Sequence, residues 1–462
     1  MVVAAPDFKE LARVTGFNQG VPSLPVAEYP GAFAVHSRDE VVDNTTKILF
    51  PQVVNLLTNP IKDAPEKSAG VVAPDAIVFS GNIEAVSKYF SVKKWSDGLP
   101  LIPPTVKKVE EFLKFTDYSP EQVVTMLPSN LLATTWNIAV NGVMAGCSPE
   151  HMPLLIAAVE AMAKGSNDAL GSSGTHSNIP YLWINGPISR QLGIDHAQGL
   201  ITHATNQVLG RALGLIVRNL AGYRIKEKRV GTFGYPMSWV LAEDEKFLFE
   251  IGWEPYHVEK GFDKNTSTIT GNCTTIWGQN NIPSTSDARI IMQVIAREMT
   301  HKEGFASGSI GSARTELLTP AVAKALAAGG YTKQSLKEDL IKTARISAHE
   351  YNWHRVYGSF GKVYPSFEKT LAEFLESPAA ERGKLPPWCP EFPGWEQLAT
   401  VQSLQDGKVE ILVCGDRSRN KTQTMAGPGA STPPPTVEIK LPHNWDALIK
   451  KQGYPPLKNF YL

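Results

Sequence analysis

The stretch NIAVNGVMAGCSPEHMPLLIAAVEAMA, Asn137–Ala163, decides most of the fold reading. An apolar helical run ends at Gly146–Cys147, and a second apolar helix starts almost at once. Ser148 fits the N-cap, where a hydroxyl accepts from an otherwise orphaned backbone N–H. Pro149 fits the first helical position, because its missing N–H would have no partner there. Glu150 places negative charge at the positive end of the helix dipole. The second helix then runs Met152–Met162, and its alanines suit close packing inside a core.

Downstream, a loop of Gly, Ser and Asn (165–178) leads into a buried strand, Tyr181–Ile184, and a turn at Asn185–Gly186–Pro187. A buried helix at Asn206–Leu220 carries Arg211 and Arg218, and β-prone STIT and GNCTTIWGQNN follow from Ser267. Further helices are expected at Asp287–Met299, at Ala321–Ala328 between Thr319–Pro320 and Gly329–Gly330, and at Tyr331–Arg345. Val409–Val413 reads as a strand. Upstream, residues 1 to about 75 read as a wrapping arm with one apolar-periodic run, Val41–Leu57. Ala76–Phe79 reads as a short β-like run, and Trp95–Thr105 (WSDGLPLIPPT) as a loop. Thr105 is placed to cap a helix over Val106–Phe115, and SPEQVVTML predicts another helix with Ser119 as its cap. The expected class is α/β in a mixed α+β arrangement: a compact multi-layer body with an N-terminal arm and a Pro-rich C-terminal tail. The expected partition is an arm at 1–80, a core α/β domain at 81–300 and a second α/β region at 301–462.

Composition narrows the function classes. Hydrophobic residues are 42% of the 462 and charged residues 19%, which suits a large core rather than a disordered chain. Basic and acidic side chains balance at 45 each, so no overall charge favours nucleic acid as a partner. No secretory signal and no membrane-spanning run is read, which predicts a cytoplasmic protein with no membrane partner. Cys147, Cys273, Cys389 and Cys414 form no CxxC pair, so neither a zinc ribbon nor a disulfide framework is indicated. The partner expected is a small-molecule substrate, and the chain is expected to be a homo-oligomer.

Several constellations are placed to carry chemistry. Cys147 lies just before a helix start, where N–H groups and the dipole favour a thiolate and should lower its pKa. His151 stands one turn on as a partner, and Glu150 as an orienting acid; packing of a small apolar side chain is the competing reading. The loop GSSGTHSN brings His176, and the strand end brings Asn185, to a position where glycines allow close approach to a ligand. The loop GDRSRNKTQ follows a strand and offers Asp416, Arg417, Arg419 and Lys421 for a carboxylate or phosphate. It lacks P-loop spacing, so no nucleotide is implied. HEYNWH spaces His349 and His354 five apart, which turns the two rings away from each other, against the four of the zincin pattern. A dispersed metal site from His176, His196, His203 and His257 remains an alternative. Glu254 and His257 in WEPYH form a candidate acid/base pair, with a capped structural turn as the competing reading.

WSDGLPLIPPT, VNGVMAGCSPEHMPLLIAAVEAM, INGPISRQLGI, NQVLGRALGLIVRN and WEPYHVEKGF together resemble a bacterial family of UGSC-type (seleno)proteins, also described as thiol-disulfide related. The resemblance covers roughly residues 90–345, and the chain carries no UGSC string of its own. It implies an enzyme, or an enzyme subunit, of small-molecule metabolism. The family pattern falls on Cys147, Glu150, His151, Asn185, Gly186, Asn206, Arg211, Glu254 and His257. The leading expectation is a cysteine-assisted lyase or hydrolase acting on a small anionic organic substrate, with Arg211 or the late-loop arginines as the anion clamp. The alternatives are a metal-dependent hydro-lyase or oxidoreductase, a non-catalytic partner subunit, and a thiol redox enzyme pairing Cys147 with Cys273.

Overall fold

The computed structural model describes residues 1–59, 76–127, 131–165, 178–232, 234–275, 281–303, 313–347, 400–402, 407–427, 430 and 433–462. Strand β1 (Val2–Ala4) pairs in parallel with β2 (Val26–Glu28) across helix α1 (Lys9–Asn18). Helices α2 (Arg38–Asn44) and α3 (Phe50–Thr58) are joined by a π-helical turn, so Val41–Leu57 is helical as its periodicity predicts. Ala76–Phe79 is not a strand. A strand needs a neighbour for its backbone groups. Here the run is exposed, and Phe79 stacks on Tyr89 of α4 (Ile83–Val92), with ring centroids 4.6 Å apart. Helix α5 (Val106–Leu113) is capped as expected, with Thr105 Oγ1 accepting from the Lys108 N–H.

The helix expected after Ser119 is also absent. Ser119 and Pro120 form a turn in which Ser119 O accepts from the Gln122 N–H, and Val123–Leu127 is strand β3, antiparallel to β4 (Leu131–Thr134). The β-branched residues of VVTML suit a pleated surface once β4 supplies the ladder. Then come α6 (Thr135–Ala145), α7 (Met152–Lys164), β5 (Ile179–Asn185), α8 (Pro187–Gln191), α9 (Ala204–Asn219) and β6 (Trp239–Ala242). They are followed by α10 (Glu245–Glu250), α11 (Tyr256–Glu259), β7 (Thr268–Thr274), α12 (Ala288–Glu303), β8 (Arg314–Leu318), α13 (Pro320–Ala328) and α14 (Lys333–Thr343). Strands β9 (Arg345–Ser347), β10 (Thr400–Gln402), β11 (Val409–Val413), β12 (Thr422–Ala426), β13 (Thr436–Glu438) and helix α15 (Trp445–Lys451) complete the described strands and α-helices. The protein is mixed α/β, with several small mixed sheets packed with helices.

Contacts divide the chain into two units. The first takes residues 1–180, 208–239 and 439–452; the second takes 181–207, 240–438 and 453–462. In the first unit, α6 ends where Gly146 adopts the left-handed conformation (φ 92°), which only glycine adopts without cost. Within α6, Gly142 leaves no room for a side chain: a Cβ there would lie 2.5 Å from Leu155 Cδ1 and 3.0 Å from Phe112 Cε1. The missing methyl lets α5, α6 and α7 close on one another.

In the second unit, β8 lies between β11, to which it is parallel, and β12, to which it is antiparallel. A second sheet has the order β13-β7-β5-β6. The core joins Ile291, Ile295 and Met299 of α12, Val322 and Leu326 of α13, Leu336 and Leu340 of α14, and Ile411 and Val413 of β11. The Pro-rich C-terminal tail also carries structure: it supplies β13 to this unit and α15 to the first. Strand β13 sits at a sheet edge, where proline is tolerated, and Pro435 O just before it accepts from the Gly271 N–H.

Candidate functional site

The Cys147 corner in the first unit is built as the sequence predicts, but its chemistry differs. The Cys147 N–H donates to Gly142 O at 3.0 Å, and Sγ donates to Val208 O at 3.5 Å. The side chain is buried. Burial pushes the thiol pKa up, Glu150 adds to the rise, and the Arg211 charge offsets only part of it. The lowered thiol pKa expected from the helix start is thereby overturned: desolvation of a sulfur anion outweighs the dipole. His151 does not hydrogen-bond the sulfur. Its Nδ1 accepts from the Ser148 N–H at 3.2 Å, and burial lowers its pKa to about 4, so the ring is neutral near pH 7.

Arg211 is not an open anion clamp. Its guanidinium grips Asp97 with two bonds, Nε–Oδ2 at 2.8 Å and Nη2–Oδ1 at 3.0 Å, and Nη2 also donates to Pro100 O at 2.8 Å. Burial works to raise the Asp97 carboxyl, but the hydrogen bonds and charge of Arg211 outweigh it and hold the pKa below its ordinary value. Arg211 therefore fastens the WSDGLP loop to α9.

The second unit gathers polar groups at the carboxyl ends of three strands, where α/β proteins place ligands. Asn185 ends β5, Glu243 follows β6, and Cys414–Arg417 follow β11. Asn185 Nδ2 donates to Glu243 Oε2 at 2.8 Å and to Glu245 Oε1 at 3.1 Å. Glu245 also accepts from the Gly186 N–H and from Arg190 Nη1, each at 2.5 Å. Glu243 accepts from the Tyr256 N–H at 2.7 Å and from Lys333 Nζ at 3.2 Å. Lys333 and Lys337 continue the chain to Glu259 at 2.8 and 2.9 Å, and Lys337 and Lys260 reach Glu410 at 3.1 and 2.9 Å. Burial alone would raise the Glu259 carboxyl, but the two lysines outweigh it and lower its pKa.

Asp244 links this buried cluster to the surface. Arg417 holds it with Nε–Oδ2 at 2.7 Å and Nη2–Oδ1 at 2.8 Å, and His196 Nε2 stands 3.6 Å from its Oδ1. The Asp244 side chain is 2% exposed, His196 35% and Arg417 51%. The Gly415 N–H donates to His196 O at 2.7 Å, which ties the histidine to the loop after β11. On that loop Asp416 accepts from the Ser418 hydroxyl and N–H, the main cause of its lowered pKa, and Arg419 Nε lies 3.6 Å from it. Lys421 is anchored through its backbone to Thr319.

The other expected residues separate. His257 is buried, with Nε2 3.3 Å from Lys264 O and Nδ1 3.7 Å from Glu245 Oε1, whereas Glu254 is exposed. The acid near His257 is thus Glu245, not Glu254. Asn206 uses its amide on backbone alone: Oδ1 accepts from the Asp195 N–H, and Nδ2 donates to Asp195 O and Val240 O. His176, Cys389 and the HEYNWH segment lie outside the described residues. Among the described residues, Cys147, Cys273 and Cys414 form no disulfide with one another, and no three His, Cys, Asp or Glu side chains converge to hold a metal. No described helix is long and apolar enough to cross a membrane. Sequence reasoning missed Glu243–Asp244–Glu245 as a cluster. Their signal was an acidic run, EDE, directly behind the apolar strand WVLA.

Fold and site define the class: a mixed α/β protein with a carboxylate-rich centre at strand ends. The chain matches no family model, no curated protein and no solved structure.

Proposed function

We propose that the chain is an enzyme of small-molecule metabolism, a lyase or hydrolase acting on a small anionic organic substrate, with acid–base chemistry at His196 and Asp244 rather than at Cys147. One observation carries the reading: a partly exposed imidazole stands 3.6 Å from a buried carboxylate, beside exposed arginine. In this arrangement Asp244 faces Nε2 across 3.6 Å and Nδ1 is left for the substrate proton. Arg419, 67% exposed, supplies positive charge for the substrate anion, whereas Arg417 is committed to Asp244 and rests against Phe247, 5.5 Å from the ring centroid.

The test is a panel of short carboxylates and phosphate esters, screened by thermal shift and then for turnover, on wild type, His196→Gln and Arg419→Ala. The reading expects His196→Gln to keep binding and lose turnover, and Arg419→Ala to weaken binding. Undiminished turnover in His196→Gln overturns it.

A further inference from the structure

Two arginines of this protein grip a carboxylate with the same edge. Arg211 holds Asp97 and Arg417 holds Asp244, each through Nε and Nη2 at distances of 2.7 to 3.0 Å. Those N–H groups lie side by side on one edge of the guanidinium plane, spaced to meet two oxygens of one oxyanion. Arg229, in the first unit, presents the same edge with no partner among the described residues. Its residue is 9% exposed, and its Nε and Nη2 are both buried without a hydrogen bond. Its aromatic contact leaves that edge open. The guanidinium carbon stands 4.0 Å from the centroid of the Tyr235 ring, so the ring covers the flat side of the cation and the N–H groups point outward in its plane.

The surroundings add positive charge rather than a counter-ion. Residues 218–229 carry Arg218, Arg224, Lys226, Lys228 and Arg229 against one acid, Glu227. Glu227 is committed elsewhere: Oε1 accepts from Lys94 Nζ at 2.7 Å, and Oε2 lies 3.9 Å from Arg224 Nη1. The backbone draws the cations together. The Tyr223 N–H donates to Val217 O at 3.1 Å, which folds the chain back on the end of α9, and the Lys228 and Arg229 N–H groups both donate to Arg224 O at 3.0 Å. Arg218, in the last turn of α9, is close enough for its charge to act on Arg229, and Arg224 acts on Arg218 in the same way. Burial lowers the Arg229 pKa, Tyr235 offsets part of the fall and Arg218 adds to it; the result, about 10, leaves the group charged near pH 7. A buried charge without a partner is costly, and a bound anion relieves that cost.

We propose that Arg229 binds a phosphate group, two of its oxygens on Nε and Nη2, with Arg218 and Arg224 balancing its second negative charge. A dianion suits three neighbouring guanidinium groups better than the single charge of a carboxylate. The proposal does not rest on the reading of His196 and Asp244.

The test follows the thermal midpoint of the full chain in phosphate-free buffer as inorganic phosphate is added at constant ionic strength. Glycerol 3-phosphate and acetate serve as the ester and the singly charged probes. Arg419→Ala is the parent chain, so that the loop after β11 does not contribute its cation. The parent midpoint is expected to rise with phosphate, because a ligand that binds only the folded chain stabilises it. Adding Arg229→Met, uncharged and of similar length, is expected to leave the phosphate-free midpoint equal or higher. It is also expected to weaken phosphate binding roughly tenfold or more, as for loss of a charge-assisted pair of bonds. A general salt effect on burial would survive in that variant. Arg229→Lys, which keeps the charge and loses the fork, is expected to fall between the two. Hydrogen exchange gives the location: amides of 224–230 in the parent should slow with phosphate. The tighter of phosphate and glycerol 3-phosphate tells whether the site takes the free ion or an ester. No rise in the parent, protection at 415–421 without protection at 224–230, an equal response in Arg229→Met, or acetate binding as tightly as phosphate would each overturn it.

Discussion

Cys147 and His151 in the first unit are buried, and among the described residues no cation or carboxylate is bonded to them; they hydrogen-bond to backbone, Cys147 to Val208 O and His151 to the Ser148 N–H. Burial shifts both toward their neutral forms, the thiol upward and the imidazole downward. Glu243, Glu245 and Lys333 in the second unit are equally buried, yet each stands within 3.2 Å of an oppositely charged group. A buried polar group avoids its desolvation penalty by becoming neutral or by acquiring a partner. Cys147 and His151 take the first route, and Glu243, Glu245 and Lys333 the second. Cutting a pair should therefore hurt the Glu243–Glu245–Lys333 cluster most, and lowering pH should act on His151.

The largest effect is expected for Lys333→Ala. It strips a cation from both Glu243 and Glu259, and breaking a buried pair costs about 3–5 kcal/mol. A urea titration reads this as a large drop in midpoint. Lys333→Met, which also lacks the charge, is expected to fall equally far; a midpoint unchanged in both would show that the pairs are not stabilising.

Next is the pH response of His151. Its folded pKa, about 4, lies below the ordinary 6.5, so the unfolded chain takes up the proton first as pH falls. The stabilisation is complete above pH 6.5 and is lost as pH drops toward 4. Its size is on the order of 3 kcal/mol. His151→Gln should flatten the stability–pH curve in that window. A variant with the same slope as wild type would place the titration elsewhere.

A smaller effect separates two glycines. Gly186 has φ 88° and ψ −179°, and a Cβ there would stand 2.4 Å from Thr266 O. Gly146 has φ 92° and ψ 18°, with nothing nearer than 3.9 Å. Gly186→Ala should cost about 1–3 kcal/mol more than Gly146→Ala, because its backbone region is nearly closed to other residues. Equal denaturation midpoints would contradict this.

The same contrast explains what was legible in the sequence. Thr105, Gly146, Pro149 and Gly329 act within one turn of themselves, so the ends of α5, α6, α7 and α13 are written locally. Ser119–Pro120 carries the same local signature, but Val123–Leu127 becomes a strand because of β4, a partner no local pattern announces. The site divides in the same way. Asn185 and Arg417 were readable as strand-end residues, whereas their partners Glu243 and Asp244 come from a different strand. His257 was readable as a polar centre, but its adjacent exposed Glu254 was a nearer candidate in sequence than Glu245, twelve positions upstream.

The smallest effect falls on Cys147. Its pKa is raised and its sulfur is buried, so the native thiol should resist iodoacetamide at neutral pH and react only after unfolding. Cys147→Ser keeps a donor for Val208 O and Cys147→Ala removes it, so the two should differ by about 1 kcal/mol in stability. Both should turn over substrate as wild type does once a substrate is in hand, because the acid–base work is assigned to His196. Rapid alkylation of Cys147 in the folded protein, with loss of turnover in Cys147→Ser, would reverse the assignment: the helix start would then be holding a thiolate, and the first unit would be the reactive one.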